Sequence, residues 1–443
     1  MVKSVYFAPV LFVCGAYGQS TADLERRVGE LTARVQFLEQ KLNELLAVKT
    51  PPPAEPPAAP VAQLAAEPMP QSLTKPESTS PLEAVSVTGD SRSRADAESR
   101  LPVAGYMDFH FNKERGLPGE FDFHRFVLLF GHSFSSRLKF WSELEVEHAF
   151  IEGGEESGEV ALEQAYLDFL LKPQFNLRAG MLLAPVGIVN ERHEPPSFNG
   201  VERPFVETFI IPTTWREMGF GATGDLGRGF RYRAYLMSGL DASRFTSGEG
   251  FGAGKTNGFL ASFRNPAKVT RLEYVGLRRL ALGASVYSGH TGFNLHSVNP
   301  RVDIFDVDGR YSYRRLDFRG LFADTWISRA GELNRALQLE TGSNPNIASR
   351  MRGAYLESAV HLLPRQNRND LILFARREAW NTQRRMPEGY VPLPQFDRTS
   401  WVLGATYKPH ADIAVKFDYG FNSSARSVFR PADTINFGIG WWF

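Results

Sequence analysis

The sequence contains a single cysteine, Cys14, in 443 residues. Cys14 lies in an apolar run near the N-terminus, and the rest of the chain has no thiol. No disulfide can therefore stabilise it, even in an oxidising compartment. Lipid attachment at Cys14 is disfavoured because Val13, directly before it, is too bulky for the usual lipidation box.

Long apolar runs are also missing. Beyond the N-terminal run, no segment reaches the roughly 18 consecutive apolar residues that a transmembrane helix needs, which excludes a helical membrane protein. The mean hydropathy of −0.26 does not exclude a membrane protein built from strands. Strands of a membrane barrel alternate lipid-facing and lumen-facing residues, so their average hydropathy is unremarkable.

Neither sign of charge is in excess, since 50 Lys and Arg residues balance 49 Asp and Glu residues. A formal charge of +1 argues against a nucleic-acid-binding protein, which would be strongly basic. The serine-hydrolase motif Gly-x-Ser-x-Gly is absent. The glycine-rich run 250–256 lacks the first glycine of a phosphate-binding P-loop, because Glu249 stands there. We predict no enzymatic activity, no cofactor and no metal site.

Residues 1–18 have the pattern of a secretory signal peptide. Lys3 precedes the apolar run Val5–Val13, and Ala16–Gly18 fits a small-x-small cleavage site. The mature chain is therefore expected to begin at Gln19. The apolar run is too short for a transmembrane anchor.

Residues 19–50 are predicted to form a coiled coil. Apolar residues alternate in steps of four and three along an unbroken heptad seam, at Leu24, Val28, Leu31, Val35, Leu38, Leu42 and Leu45. The a positions hold Val, Val and Leu, and every d position holds Leu. Valine at a with leucine at d favours dimers, although a seam this short can be overruled by the oligomer that the rest of the chain forms.

Residues 51–100 are rich in proline and alanine, a composition that is extended and buries no core. We interpret this segment as a disordered periplasmic linker, with a ligand for an SH3-type domain as a remote alternative.

The C-terminal segment has the clearest two-residue period in the chain. Apolar residues at every second position would share one face of a strand, namely Ile435, Phe437, Ile439, Trp441 and Phe443. The strand resembles the closing strand of bacterial outer-membrane barrels, in which a terminal phenylalanine marks the chain for insertion. That resemblance assigns an insertion signal to Trp441 and Phe443.

Strand-like alternation continues across residues 101–443, and about sixteen such runs can be counted, an even number as a bacterial barrel requires. Short connections alternate with long ones, which is the arrangement of periplasmic turns and extracellular loops. One connection that should be short, residues 265–280, is longer than expected. The fold class is therefore an all-β, antiparallel transmembrane barrel.

The long connection Ala184–Trp215 has the ordinal position of the loop that folds into the lumen of sixteen-stranded porins. It carries charges of both signs, and rings of charge at a narrowing select ions by sign. The candidate constriction and solute-binding residues are Arg192, Glu194, Glu202, Arg203, Glu207 and Arg216.

The run RAGMLLAPVGIVNERHEPPSFNGVERPFVETFIIPTTWREMGFGATGDL, residues 178–226, resembles the core of the phosphate-selective porin O and P family. Its Pro-Val-Gly turn, its loop rich in Glu and Arg and its Trp-Arg-Glu-x-Gly strand carry the resemblance. That family implies a sixteen-stranded, trimeric anion channel lined by basic residues. Strand parity directs several basic residues inward, namely Lys139, Arg178, Arg231, Arg233 and Arg264, and several carboxylates share that side.

The expected function is passive diffusion of small anionic or polar solutes, phosphate and pyrophosphate among them, through the outer membrane of a Gram-negative-type bacterium. Expected partners are outer-membrane lipid, the outer-membrane assembly machinery, small anionic solutes and two further copies of the chain in a homotrimer. The alternative is a structural envelope tether or adhesin that uses the barrel as an anchor. Both hypotheses place the coiled coil in the periplasm.

Overall fold

The computed structural model describes residues 104–443 except 149–157, 260, 262, 264–265, 293 and 365–368. The predicted signal peptide, coiled coil and linker lie outside these residues and stay predictions. So does the lumen-lining role of Arg264.

The described chain forms one closed barrel of sixteen antiparallel strands, which confirms the predicted fold class. Each strand pairs with its neighbours in sequence, and β1 closes the barrel against β16. The strands are β1 Ala104–Glu114, β2 Gly119–Ser133, β3 Leu138–Glu147, β4 Glu159–Lys172, β5 Phe175–Leu183, β6 Arg216–Gly227, β7 Phe230–Met237, β8 Ala267–Tyr274, β9 Leu280–His290, β10 Arg301–Tyr313, β11 Leu316–Ile327, β12 Arg350–His361, β13 Asp370–Arg385, β14 Asp397–His410, β15 Ile413–Ser424 and β16 Thr434–Trp442.

The two-residue period of β16 separates the outside of the barrel from the lumen. Ile435 and Phe437 are exposed, whereas Asn436 and Gly438 between them are buried. The last residue continues the pairing, since the backbone nitrogen of Phe443 donates to the oxygen of Gly105 at 2.9 Å. Because alternate residues point to opposite faces of a strand, the predicted apolar face of β16 forms part of the outer wall.

Large apolar side chains are exposed around the outer wall. They come from strands all around the barrel, for example Phe169, Leu272, Val307, Leu356, Trp401 and Phe417. A barrel has no free sheet edge, so its backbone polar groups are paired internally, and an outward apolar band is the surface that lipid covers. Among the described residues, no helix is both long enough and apolar enough to cross a membrane.

The eighth strand differs from the sequence-based expectation. It lies at Ala267–Tyr274, so the turn to β9 is short and the prediction of a long connection at residues 265–280 is wrong. The inward side of β8 carries Arg271 and Glu273, and its outward side carries Lys268 and Thr270. Neither face is uniformly apolar, which hides the strand in the hydropathy pattern.

The long connections gather at one end of the barrel, which we call the loop end, and the short turns at the other, the turn end. Helix α1, Val206–Phe209, lies in the connection between β5 and β6, and helix α2, Ala330–Thr341, lies between β11 and β12. Leu333 and Leu337 of α2 are buried in one cluster with Phe251 and Trp215 from two other connections. The loop end therefore has an apolar core of its own.

Candidate functional site

The connection between β5 and β6, residues 184–215, is called loop L3. Its residues contact strands on several sides of the barrel: His193 contacts β3 and β4, Val201 contacts β15, and Val206 contacts β13. A segment that contacts widely separated strands of a closed barrel lies in its lumen. L3 therefore narrows the interior, as its ordinal position predicts.

Wall carboxylates hold the main chain of L3. The backbone nitrogen of Val201 donates to Asp418 Oδ2 at 2.6 Å, and that of Val206 donates to Glu378 Oε2 at 3.2 Å. Directly before Val201, Gly200 has a positive φ of 82°, and a Cβ there would lie 3.4 Å from Asp418 Oδ2. Glycine thus permits both the left-handed backbone and the close approach to the wall.

Arg376 of β13 is the main cationic contact between the wall and L3. Its side chain is buried between two carboxylates, Glu357 at 3.2 Å and Glu378 at 2.7 Å. It also donates to two backbone oxygens of L3, those of Asn199 at 3.3 Å and Glu202 at 3.4 Å. One guanidinium therefore satisfies two buried carboxylates and fixes the middle of the loop.

His193 attaches the other side of L3 to the wall. Its Nδ1 donates to the backbone oxygen of Asn190 at 3.1 Å, which directs Nε2 towards Glu163 Oε2 at 2.9 Å and the Tyr106 hydroxyl at 3.1 Å. Burial alone would lower the pKa of His193, but the carboxylates of Glu163 and Glu143 raise it above the ordinary value. The imidazolium form, which donates from both nitrogens, is the form that this contact stabilises.

This contact predicts a pH-dependent attachment of L3. Because the pKa of His193 is raised in the folded barrel, the contact stabilises fully below the unfolded value of about 6.5 and is lost as the pH rises through the folded pKa. We expect His193→Gln to lower the free energy of unfolding by about 1.5–3 kcal/mol at pH 6, and by less at pH 9. Urea titrations of both proteins measure the difference.

The matched control is His410→Gln, which alters an exposed histidine at the turn end. It should change stability little at either pH. A His193→Gln deficit that is the same at pH 6 and pH 9 would contradict an imidazolium contact.

An open cavity of about 530 Å³ remains between L3 and the wall formed by β1 and β13–β16. The short connection between β1 and β2 borders it at the loop end. Its charged lining consists of Lys113, Glu114, Glu120, Glu202, Arg376 and Asp418. Charges of both signs thus surround the open space beside the loop.

The six candidate constriction residues do not meet at one point. Glu202 lines the cavity. Glu207 is fully buried and accepts from the backbone nitrogens of Ile188 and Val189, so it holds L3 together. Glu194 is also buried. Only Glu202 of these three acidic residues faces the open space.

The three candidate arginines of this region contact the wall or the loop itself. Arg192 lies 3.7 Å from Glu273, and Arg216 lies 3.9 Å from Glu163. Arg203 donates to Thr213 Oγ1 at 3.1 Å. Carboxylates thus partly neutralise Arg192 and Arg216, whereas the partner of Arg203 is an uncharged hydroxyl.

The predicted basic lumen residues lie on inward faces but are largely paired. Arg178 donates with two nitrogens to the carboxylate of Asp168, at 2.6 and 2.8 Å. Arg233 lies 3.1 Å from Glu191 and 3.1 Å from Glu273, and Arg231 lies 3.7 Å from Asp225. Lys139 is exposed near the turn end.

Sequence reasoning missed several inward arginines, among them Arg125, Arg271, Arg310 and Arg376. Arg271 was missed because β8 itself was misplaced. Arg310 and Arg376 lie on strands that were counted correctly, and strand parity alone would have found them. Arg310 stands directly opposite Arg319 in the pairing of β10 with β11.

Comparison with known proteins places this geometry in context. No model of a known protein family matches the sequence. The barrel resembles Salmonella typhi OmpF, solved in complex with daunomycin, with a TM-score of 0.54 and 12% identity over 77% of this chain and 97% of that chain. It also resembles a loop-deletion variant of OmpT, an outer membrane protein of Vibrio cholerae, with a TM-score of 0.50 and 10% identity over 77% of this chain and 98% of that one.

These likenesses establish the fold of outer-membrane barrel porins. In sequence, the chain is 37% identical over 331 residues to an uncharacterized protein of Aquifex aeolicus, covering 72% of this chain and 75% of that protein. The chain therefore belongs to the same family as this Aquifex aeolicus protein.

Proposed function

We propose that the protein is an outer-membrane porin, a passive diffusion channel for small anionic or polar solutes. The observation that carries the proposal is L3, which lies inside a closed barrel and leaves a cavity of about 530 Å³ lined by charged side chains. A narrowing with charged walls is the arrangement that sets ion selectivity in a pore. The apolar outer wall supports placement in the outer membrane, with the loop end outside.

Arginines in the lumen support the anionic class of solute. Arg310 and Arg319 are directly opposed, and like charges in that position repel unless an anion lies between them. The Nε atom of Arg310 is buried without a hydrogen-bond partner among the described residues. Guanidinium groups stay charged and bind oxyanions in a bidentate manner. Phosphate and pyrophosphate, which the resemblance to the porin O and P family implies, are the first solutes to test.

We also propose a homotrimer inserted by the outer-membrane assembly machinery, as the same resemblance implies. The outer wall provides the surface for barrel-to-barrel contact. Light scattering of the purified protein in mild detergent should give the mass of three copies, and a monomeric mass would reject the trimer.

Selectivity is tested with the double variant Arg203→Ala/Arg216→Ala. The double variant removes two cationic groups from L3 and its base, so Glu163 keeps His193 but loses the charge of Arg216 beside it. We therefore expect the reversal potential across a salt gradient to shift towards cations and the block by phosphate to weaken. Planar-bilayer recordings measure both quantities.

The control is Arg329→Ala/Arg335→Ala, which removes the same charge from exposed positions next to and within α2. It should leave the reversal potential unchanged. Unchanged selectivity in the Arg203/Arg216 variant would place the selective narrowing elsewhere and leave these arginines as packing residues.

The structural alternative, an envelope tether or adhesin, is favoured by one observation. Most of L3 is buried and held by hydrogen bonds on several sides, so the loop fills much of the lumen. A correctly folded barrel with no ohmic conductance at any salt concentration would support the tether and reject the porin.

A further inference from the structure

Three of the nine histidines in the chain form a column beside L3. The rings of His110 on β1 and His124 on β2 have centroids 4.2 Å apart, and the ring of His148, directly after β3, lies 5.9 Å from that of His124. We call this group the histidine column. It runs from the buried His110 to the exposed His148.

A bulge places His124 in the column. Simple alternation would turn His124 outward, because Arg125 and Val127 face the lumen. The pairing of β1 with β2 shifts between Asp108 and His110, however, and a bulge of this kind re-aims the side chains beside it. His124 therefore stacks on the inward-facing His110 rather than pointing away from it.

Ring nitrogens of His110 and His124 converge on one carboxylate, whereas His148 pairs with Asp122. Asp108 Oδ2 lies 2.5 Å from Nε2 of His110 and 3.2 Å from Nδ1 of His124. One ligand atom from each of these three residues lies within 4.8 Å of the others. We propose that Asp108, His110 and His124 bind a divalent transition-metal ion such as Zn²⁺.

The distances between the ligand atoms fit a bound metal ion after a small adjustment. Metal–ligand distances of about 2.0–2.2 Å in a tetrahedral zinc site place neighbouring ligand atoms roughly 3.4 Å apart. The separation of 3.2 Å between Asp108 Oδ2 and His124 Nδ1 is already close to that value. The separation of 2.5 Å between Asp108 and His110 must lengthen by about 1 Å, which a rotation of the carboxylate provides.

The second ring nitrogen of His110 is held in the way that metal sites require. Nδ1 of His110 lies 3.1 Å from Glu202 Oε1, and Asn112 Nδ2 donates to the same oxygen at 2.9 Å. A carboxylate on the far side of the imidazole fixes its orientation and increases the basicity of the ligating nitrogen. Glu202 belongs to L3, so the metal site would attach the loop to β1.

The surrounding charge favours a cation. Asp108, Asp122, Glu145, Glu147 and Glu202 lie in or next to the column, and Arg125 is the cation in direct contact with it. Arg125 is itself paired with Glu145 at 3.0 Å and Glu147 at 3.1 Å. The buried Oδ1 atom of Asp108 has no hydrogen-bond partner among the described residues, and it forms an ion pair with Nε of Arg125 at 3.6 Å.

Arg125 has to move slightly when a metal binds. Nε of Arg125 donates to Nδ1 of His124 at 3.3 Å, and Nη2 of Arg125 lies 3.1 Å from Nε2 of the same ring. Coordination through Nδ1 uses the lone pair that now accepts from Nε, and it leaves a hydrogen on Nε2, so both donors must turn away. Asp108 Oδ1 is placed to accept from Nε, and Glu147 is placed to accept from Nη2. The rearrangement stays within side chains and leaves the strand pairing unchanged.

The test is metal binding by the full-length, folded protein in detergent after chelator treatment. We expect one equivalent of Co²⁺ to give the visible absorption of a low-symmetry, histidine-containing site, and Zn²⁺ to displace it. The variant His110→Ala/His124→Ala should lose this equivalent. The variant Glu202→Gln should bind about 10–100-fold more weakly, because the outer carboxylate orients His110.

His361→Ala is the matched control, since His361 also lies between two carboxylates, Asp317 and Asp370. This variant should still bind one equivalent of Co²⁺. Circular dichroism and heat-dependent gel mobility establish that each variant is folded. Should the double variant not fold, His124→Ala alone must lower the affinity at least tenfold.

Absence of the Co²⁺ spectrum in the wild-type protein, or its persistence in the folded histidine variants, would overturn the site. The readout needs no conductance, so the result is independent of the porin proposal.

Discussion

Replacing Arg376 with alanine should lower the free energy of unfolding by about 3–5 kcal/mol, because it leaves Glu357 and Glu378 buried without their cation. It also removes the two contacts to the backbone oxygens of Asn199 and Glu202. L3 should then loosen on the side of the open cavity. Urea unfolding in detergent measures the stability, and single-channel recording should show larger and noisier currents than those of the wild-type barrel.

The neighbouring residue supplies the control. Arg377 lies on the outward face of the same strand, where its guanidinium lies 5.5 Å from the ring centre of Trp401. Arg377→Ala removes the same side chain one position away without touching L3, so current noise should stay at the wild-type level. Equal effects of the two substitutions on conductance would show that Arg376 does not hold the loop.

Deleting Phe443 should prevent assembly in cells while costing little stability once the barrel is folded. In the barrel, Phe443 exchanges two backbone hydrogen bonds with Gly105, at 2.9 and 3.0 Å, and its ring lies 5.6 Å from that of Phe126. The deletion removes two hydrogen bonds, worth about 0.5–1.5 kcal/mol each, and one apolar side chain, worth about 1.5–3 kcal/mol. This is a modest loss of stability for a sixteen-stranded barrel. A lost insertion signal would instead cause periplasmic accumulation and degradation.

Surface labelling and fractionation measure that outcome. Phe421→Ala, which removes an exposed aromatic ring from the outward face of β15, is the control and should reach the surface normally. The truncated protein at wild-type surface levels would rule out an insertion signal at Phe443.

The barrel could be predicted from the sequence because the alternation of apolar and polar residues that produces its strands is a local feature. A two-residue period needs only neighbouring residues, and long connections alternate with short ones along most of the barrel. β8 was misplaced where charged side chains on both faces removed that period. The strand count nevertheless held, because the alternation of long and short connections constrains it independently.

The interior of the site was less predictable because its contacts join distant residues. The bond from Val201 to Asp418 spans 217 positions, and Tyr355 reaches Glu207 across 148. Charge and parity indicate that such residues face the lumen, but not which of them meet. His124 is a sharper case, since a single bulge reverses the side on which its ring lies.

The contacts between the barrel wall and L3 have an evolutionary consequence. Asp418, Glu378 and Arg376 bind backbone groups of the loop rather than its side chains. Mutations that change the side chains of Val201 or Glu202 therefore leave these anchoring bonds in place. Descendants of this gene can vary the side chains at these two positions while residues 199–206 of the loop keep their path along the wall.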